Sequence, residues 1–454
     1  MISRMVIFGA TGDLTARLLL PAVAQLVENN ALPADIQIVG SAVEPWSVEK
    51  FREHIAQALD AHAAQVSQST RQTVVSMLDY RPSDVTDASD VAAVIGAGHG
   101  PTLVYLALPS SLLEAALTAL AAAELGNEDA VAIEKPFGTD LASARRLNAL
   151  LASGLSAPTI FRIDHFLSDE LVRRVVALRF ANQVFEPILN AHHVEKVDIS
   201  WLESLTLEGR ADYYDRAGAL KDMLQNHLME ALSLVVMDEP ARLEEVSFRN
   251  SRVEALRNIA TPTEADIKAG VIRARYAAGS IGDRQVPAYV DEPGIDPARG
   301  TETYAAITLK LHNRRWSGVP FTLRSGKSMP TDTAEIAIHF RPLPAHLFDR
   351  VIDVPANVLR VGLMESYVRL DTTINGSDSH LVQQELEMFA PEPQRTAYAN
   401  LILEMFRNNP MLFIRGDEAE EAWRIIDPIA TAFADGTVPM QTYPAGQAPP
   451  ATPA

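Results

Sequence analysis

The chain has 454 residues, a formal net charge of −19 and no cysteine, with 47% hydrophobic and 21% charged residues. Length and composition are those of a globular protein of about two to three domains. The acidity excludes non-specific nucleic-acid or membrane-surface binding, and the missing cysteines exclude disulfides, a thiolate nucleophile and a thiolate metal site.

No run approaches the length of an apolar membrane span. The first residues, MISRMVIFGATGDL, enter a strand and a glycine turn without the apolar core of a signal peptide. A cytoplasmic protein with no nucleic-acid or membrane partner is expected. No metal is expected either, since His192 and His193 form a pair with no third ligand nearby.

Arg4 to Phe8 (RMVIF) is a short apolar run, as in a buried parallel strand. Gly9, Ala10, Thr11, Gly12, Asp13 and Leu14 follow, then an amphipathic helix to about Val27. A strand, a glycine turn and a helix start make an anion site, because free N–H groups and the helix dipole face the ligand. The same element also serves as a plain structural turn, and GxxGDL is not the usual GxGxxG. Residues 36–40 (IQIVG) read as the second strand, followed by Ser41, Ala42, Val43 and Glu44. An acid after this strand suits the free ribose hydroxyls of NAD, and a base suits NADP. Glu44 therefore favours NAD on charge, unless it is only a solvated loop acid.

Residues 102–108 (TLVYLAL), ended by Pro109, form a further strand, and 130–133 (AVAI) another, ended by EKPFG. Polar residues at the carboxyl ends of parallel strands line the ligand crevice, which makes Lys135 a site candidate; the other reading is a surface lysine in a Pro-Gly turn. Thr159–Ile163 (TIFRI) closes the series at Asp164 and His165. The expected domains are 1–180, a Rossmann-like dinucleotide-binding domain; 181–444, an α+β domain for substrate and oligomerisation; and 445–454, an Ala/Pro-rich disordered tail.

After residue 180 the period changes. Residues 196–205, 271–276, 303–313, 319–324, 335–341, 358–364 and 368–374 alternate apolar and polar positions, predicting a large antiparallel sheet with one covered face. Helices over 397–407 and 418–433 close this domain. Residues 215–240 (DRAGALKDMLQNHLMEALSLVVMDEP) are helical. Leu220, Met223, Leu224, Leu228, Leu232 and Val235 recur at helical spacing. Asp222, Asn226 and His227 lie among them. Two readings of His227 stand: a buried histidine satisfied by a carbonyl, or a base for a sugar hydroxyl, which its pKa near ~6.5 suits.

Collinear segments resemble the glucose-6-phosphate dehydrogenase family: GATGDL at 9–14, EKPFG at 134–138, RIDHFL at 162–167, LRFAN at 178–182, EGR at 208–210, DMLQNHL at 222–228, GVPFTLRSGK at 318–327 and LFIRGDEAEEAWRIIDP at 412–428. RIDH with QNHL is the specific pair. The resemblance implies a Rossmann-like domain followed by an α+β domain with a large antiparallel sheet, and a homodimer or homotetramer formed through that sheet. It implies oxidation of a pyranose at C1 to a 1,5-lactone with hydride transfer to NAD(P), as in the pentose phosphate pathway. It makes His227 the general base and Asp164 its partner. Lys135, Glu203 and Asp222 match positions that bind sugar hydroxyls, Lys327 and His165 lie around the substrate, and the nicotinamide half belongs near Pro109 and Lys135.

Departures fall at two places. The family's phosphate pocket typically reads RIDHYLGKE; this chain has Phe166 for the tyrosine and Asp169 for the lysine. After SGK, where many relatives offer a base, it has Asp332. A phosphate beside two carboxylates faces a repulsion of several kcal/mol even at an effective dielectric of ~20. Either Arg216, Arg273 or Arg284 moves in, or the sugar is neutral, 6-modified or an amino sugar. Relatives that use NADP carry bases where this chain has Val43 and Leu18, so NAD is the expected cofactor with NADP possible. An idle cofactor-binding homologue is the alternative of another class, and the retained Asp164 and His227 argue against it.

Overall fold

The computed structural model describes residues 2–33, 35–123, 125–155, 159–168, 170–342, 355–376, 381–389 and 394–451. It forms two compact units. One comprises Met1–Asp169, Arg242–Arg249 and Pro393–Glu420, and the other Glu170–Ala241, Asn250–Glu392 and Glu421–Ala454.

The first unit is built on six parallel strands: β1 (Arg4–Phe8), β2 (Gln37–Ala42), β3 (Leu78–Pro82), β4 (Thr102–Leu106), β5 (Ala130–Glu134) and β6 (Thr159–Ile163). Their order is β3-β2-β1-β4-β5-β6, that of a dinucleotide-binding sheet. Every residue of β1 and β4 is buried, which is why both read as unbroken apolar runs. β3 (LDYRP) lies at the sheet's edge and alternates buried and half-buried positions, so no apolar run marks it. Strand order reverses on either side of β1, opening a crevice beyond the carboxyl ends of β1 and β4.

This unit's core includes residues from far along the chain. Leu401, Ile402, Phe406 and Phe413 join Met5, Leu20, Val23, Phe51 and Phe161 in one buried cluster. The ring of Phe413 meets Phe161 edge-on at 4.6 Å, and the Ile2 N–H donates to the Phe406 carbonyl at 3.0 Å. The helix Ala397–Phe406, expected to close the C-terminal domain, thus clusters with the N-terminal unit.

The second unit holds β7 (Val194–Leu202), β8 (Val271–Ala277), β9 (Gly279–Ile281), β10 (Arg284–Val286), β11 (Tyr304–Leu309), β12 (Phe321–Gly326), β13 (Thr333–Phe340), β14 (Val358–Gly362), β15 (Tyr367–Asn375), β16 (Leu381–Phe389) and β17 (Met440–Pro444). Nine of them form one sheet, β16-β15-β14-β13-β7-β12-β11-β8-β17. Most neighbours are antiparallel, as expected, while β7–β12 and β8–β17 pair in parallel. β16 is exposed along nearly its whole length.

The expected disordered tail needs correction at its start. Ala445 is buried; its N–H donates to the Ala277 carbonyl at 3.0 Å and its carbonyl accepts from Ser280. Gly446 donates to the Ser328 carbonyl at 2.8 Å. β17 delivers the chain onto the β8–β9 corner, and these backbone bonds outweigh the Ala/Pro composition.

The stretch 215–240 is not one α-helix. Helix Ala211–Ala219 breaks at Gly218, with φ 66° and ψ 175°. A side chain there would also collide with Glu302, whose Oε1 lies 2.4 Å from the position of a Cβ. Glu302 instead accepts the Leu220 N–H at 3.0 Å. Leu220–Leu228 then winds as a π-helix, and Met229–Val236 continues as an α-helix buried on every side.

Candidate active site

In the first unit, the site grows from the end of β1. Gly9 has φ +83°, and a Cβ on it would lie 2.2 Å from the Ala107 carbonyl oxygen, so only glycine lets this loop run against the end of β4. Gly9 and Ala10 donate to the Ser41 carbonyl, and Gly12 donates back to Gly9. Gly12 is exposed and Leu14 packs against the core. Asp13 points to solvent and pairs with Arg17 at 3.2 Å. A tight glycine turn leading into a helix is the cradle a dinucleotide needs.

Glu44 is tied to this turn. Its Oε2 accepts the Thr11 hydroxyl at 2.9 Å, and its carbonyl accepts the Tyr80 hydroxyl at 2.7 Å. Burial, together with the Glu44 charge, pushes the Tyr80 phenol up to about 12. The positions where a base would meet a ribose phosphate are apolar and open: Val43 is 68% exposed and Leu18 43%. Pro109 is exposed just past β4 and leads into the helix Ser110–Leu120.

At the far side of the crevice, Glu134 of β5 stands opposite Ile163 of β6. Lys135 and Asp164, the next residues, therefore leave neighbouring strand ends. The Lys135–Pro136 bond is cis. Asp164 is 1% exposed, and its Oδ1 accepts the Phe166 N–H at 2.9 Å. His165 is exposed, its ring parallel to that of Tyr398 at 6.2 Å, while Phe166 is buried. Asp169 lies outside the described residues.

In the second unit, the ends of β7 and β12 run side by side, Leu202 beside Gly326. Glu203 and Lys327 extend these ends and form an ion pair at 3.0 Å, with the Lys327 ammonium 5.4 Å above the Tyr214 ring. Asp332 folds back on the same loop, accepting the Ser204 N–H at 2.6 Å. Of the three bases named as replacements, Arg284 reaches this loop, donating to the Ser204 carbonyl at 3.4 Å and to Glu208 at 3.5 Å. Arg216 pairs with Asp212, and Arg273 donates to the carbonyls of Gly300 and Phe433.

The π-helix packs against β7, β11 and β12 and carries Asp222 and His227. In an α-helix of 3.6 residues per turn, two residues five apart point roughly 140° away from each other. The i→i+5 repeat of a π-turn brings them onto one face. Asp222 accepts the Tyr213 hydroxyl at 3.0 Å. His227 is buried, and its backbone N–H donates to the Asn226 side-chain oxygen at 2.6 Å. Tyr213, Tyr105 and Tyr398 escape sequence reading, since lone tyrosines far apart in the chain carry no motif.

Sheet order, glycine cradle and the acid beside it are those of a nicotinamide-dinucleotide dehydrogenase. Comparison with known proteins narrows this. Residues 6–174 match the family model "Glucose-6-phosphate dehydrogenase, NAD binding domain" and residues 176–453 match "Glucose-6-phosphate dehydrogenase, C-terminal domain". The chain belongs to the glucose-6-phosphate dehydrogenase family. It is 36% identical to the glucose-6-phosphate 1-dehydrogenase of Treponema pallidum (strain Nichols) over 97% of this chain and 91% of that protein. The same-named protein of Zymomonas mobilis subsp. mobilis is 32% identical, with 99% and 96% covered. A solved glucose-6-phosphate dehydrogenase in complex with its substrate glucose-6-phosphate superposes with TM-score 0.89 at 26% identity, over 99% of this chain and 96% of that one.

Proposed function

We propose that the chain oxidises C1 of glucose 6-phosphate to the 1,5-lactone, with NAD preferred over NADP as hydride acceptor. The observation that carries the chemistry is the π-turn that sets a buried His227 on one face with Asp222. His227 takes the proton of the C1 hydroxyl as the hydride leaves C1. Asp164, its partner by family resemblance, balances the imidazolium charge. The nicotinamide, when bound, accepts the hydride. Gly9 to Leu14 hold the pyrophosphate, Pro109 and Lys135 adjoin the nicotinamide, and Glu44 with Thr11 meets the adenine ribose. The open, apolar Val43 and Leu18 support NAD, since they offer no charge to a ribose phosphate.

Glu203, Asp222 and Lys135 bind the sugar hydroxyls, with Lys327 and His165 around the substrate. Arg284 at the Glu203 loop supports a phosphorylated sugar, and the Ser204 amide draws part of the Asp332 charge away from it. The buried Phe166, which brings no hydroxyl to a phosphate, supports a second reading: the same oxidation of a neutral or 6-modified hexose.

A screen of glucose 6-phosphate, glucose and glucosamine with NAD and NADP, followed by nicotinamide absorbance, separates the readings. The expected result is efficient turnover of glucose 6-phosphate with NAD. Turnover of neutral hexoses alone overturns the phosphate assignment, and no turnover of any sugar overturns the dehydrogenase.

The assembly proposed is a homodimer or homotetramer formed through the edge of the large sheet. Val382, Leu386 and Met388 alternate along one face of β16, and they and Ile374 of β15, partner of Val382, are all more than two-fifths exposed. Apolar strips of this kind are usually covered. Sedimentation should show a dimer or larger, and Leu386→Glu with Met388→Glu should shift it to monomer.

A further inference from the structure

Glu134 takes no part in the proton or hydride transfer proposed above, yet at the carboxyl end of β5 its carboxylate is held by two tyrosines from other elements. Tyr105 of β4 donates its hydroxyl to Glu134 Oε1 at 2.5 Å. Tyr398, from the helix Ala397–Phe406, donates to the same oxygen at 3.2 Å. The strand register puts Lys135 and Asp164 immediately beyond this point. The Tyr398 ring lies against His165 with 15° between the planes. The carboxylate thus holds Tyr398, whose ring faces His165, at the strand end from which Lys135 leaves and beside which Asp164 follows.

We infer that Glu134 is a positioning residue: clamped by Tyr105 and Tyr398, it fixes Lys135 on one side and Asp164 and His165 on the other in the placement the sugar requires. The inference rests on the proposed sugar dehydrogenase. Neither tyrosine touches the reacting carbon in that scheme.

The surroundings give the clamp a charge that changes near neutrality. The groups facing Glu134 are Tyr105, Tyr398, Asp164 and Lys135. Burial raises its carboxyl to about 7; the hydroxyls of Tyr105 and Tyr398 oppose this, Asp164 adds to it, and Lys135 opposes it. Both tyrosines are pushed well up by burial and by Glu134, so they stay protonated donors. A carboxylate accepts two hydroxyls better than a carboxylic acid does. The clamp therefore tightens as pH rises through neutrality.

The test uses the full-length protein and the variants Glu134→Gln, Tyr105→Phe and Tyr398→Phe, each checked for a single cooperative melting transition at pH 6. The first arm needs no substrate. Tyrosine difference absorbance followed from pH 6 to pH 8 should show a step in the wild type, smaller in either Phe variant and absent in Glu134→Gln. The second arm measures steady-state kinetics. Glu134→Gln and Tyr398→Phe should raise the sugar KM about tenfold with kcat within about threefold, the pattern of lost placement rather than lost chemistry. A step that persists in Glu134→Gln, or an unchanged KM in both variants, overturns the inference. If the wild type oxidises no sugar, the dehydrogenase reading falls, while the tyrosine step still decides whether the clamp exists.

Discussion

Asp222 and His227 stand one π-turn apart on the segment Leu220–Leu228, so a carboxylate and an imidazole that α-helical winding would separate share a face. Widened turns of this kind recur at functional sites because the extra residue re-aims side chains at a local cost. Here the turn begins two residues after the break at Gly218, where Glu302 holds the Leu220 N–H.

His227→Asn should lower kcat by about 10²–10⁴-fold, the usual worth of a general base, while NAD binding measured by fluorescence stays within about twofold. Asp222→Asn should mainly raise the sugar KM. Wild-type turnover in His227→Asn would remove the histidine from the mechanism.

The cofactor pocket predicts a reversible preference. Val43→Arg combined with Glu44→Ser places a guanidinium where a ribose phosphate would sit and removes the acid now held by Thr11. The ratio of kcat/KM for NADP to that for NAD should rise at least about tenfold, a gain of about 1.4 kcal/mol. A wild type that already favours NADP would contradict the role given to Glu44.

Arg284 offers a test at the other end of the sugar. Arg284→Ala should raise KM for glucose 6-phosphate by about 10–100-fold, the worth of about 1.5–3 kcal/mol for a hydrogen bond to a charged group. Glucose, which lacks the phosphate, should be unaffected. Equal effects on both sugars would mean that Arg284 only braces the Glu203 loop.

Glu134 predicts a pH dependence of stability. Its folded carboxyl titrates at about 7, above the ordinary 4.5, because it is buried. Between those values the native state holds a proton that the unfolded chain has released, so stability falls as pH rises. The wild type should lose up to about 3 kcal/mol from this group between pH 4.5 and 7, and Glu134→Gln should not. Urea melts of both proteins at pH 5 and pH 7.5 measure the difference.

Much of this was legible in the chain. β1, β4 and β5 announce themselves because a strand covered on both faces must be apolar throughout. The glycine turn is readable because Gly9 has no substitute beside Ala107. β16 is missed because Gln384 interrupts the apolar positions Val382, Leu386 and Met388, leaving too short an alternation to mark a strand. The π-turn is missed because shifting a hydrogen bond by one residue leaves composition and apolar spacing almost unchanged. The contact between Glu134 and Tyr398 joins residues 264 apart, and nothing local in either position marks the other. The apolar pattern of the helix Ala397–Phe406 says that it is buried, without saying in which unit.

That last helix bears on how the protein is made. Chains emerge from the ribosome N-terminus first, and a domain whose core is contiguous folds as it appears. The dinucleotide-binding unit lacks that option, because Leu401, Ile402, Phe406 and Phe413 arrive only after most of the chain has been synthesised. Until then its apolar surface waits for a cover that does not yet exist. A nascent chain stalled before residue 393, or a fragment cut there, should need chaperone protection that the finished protein does not.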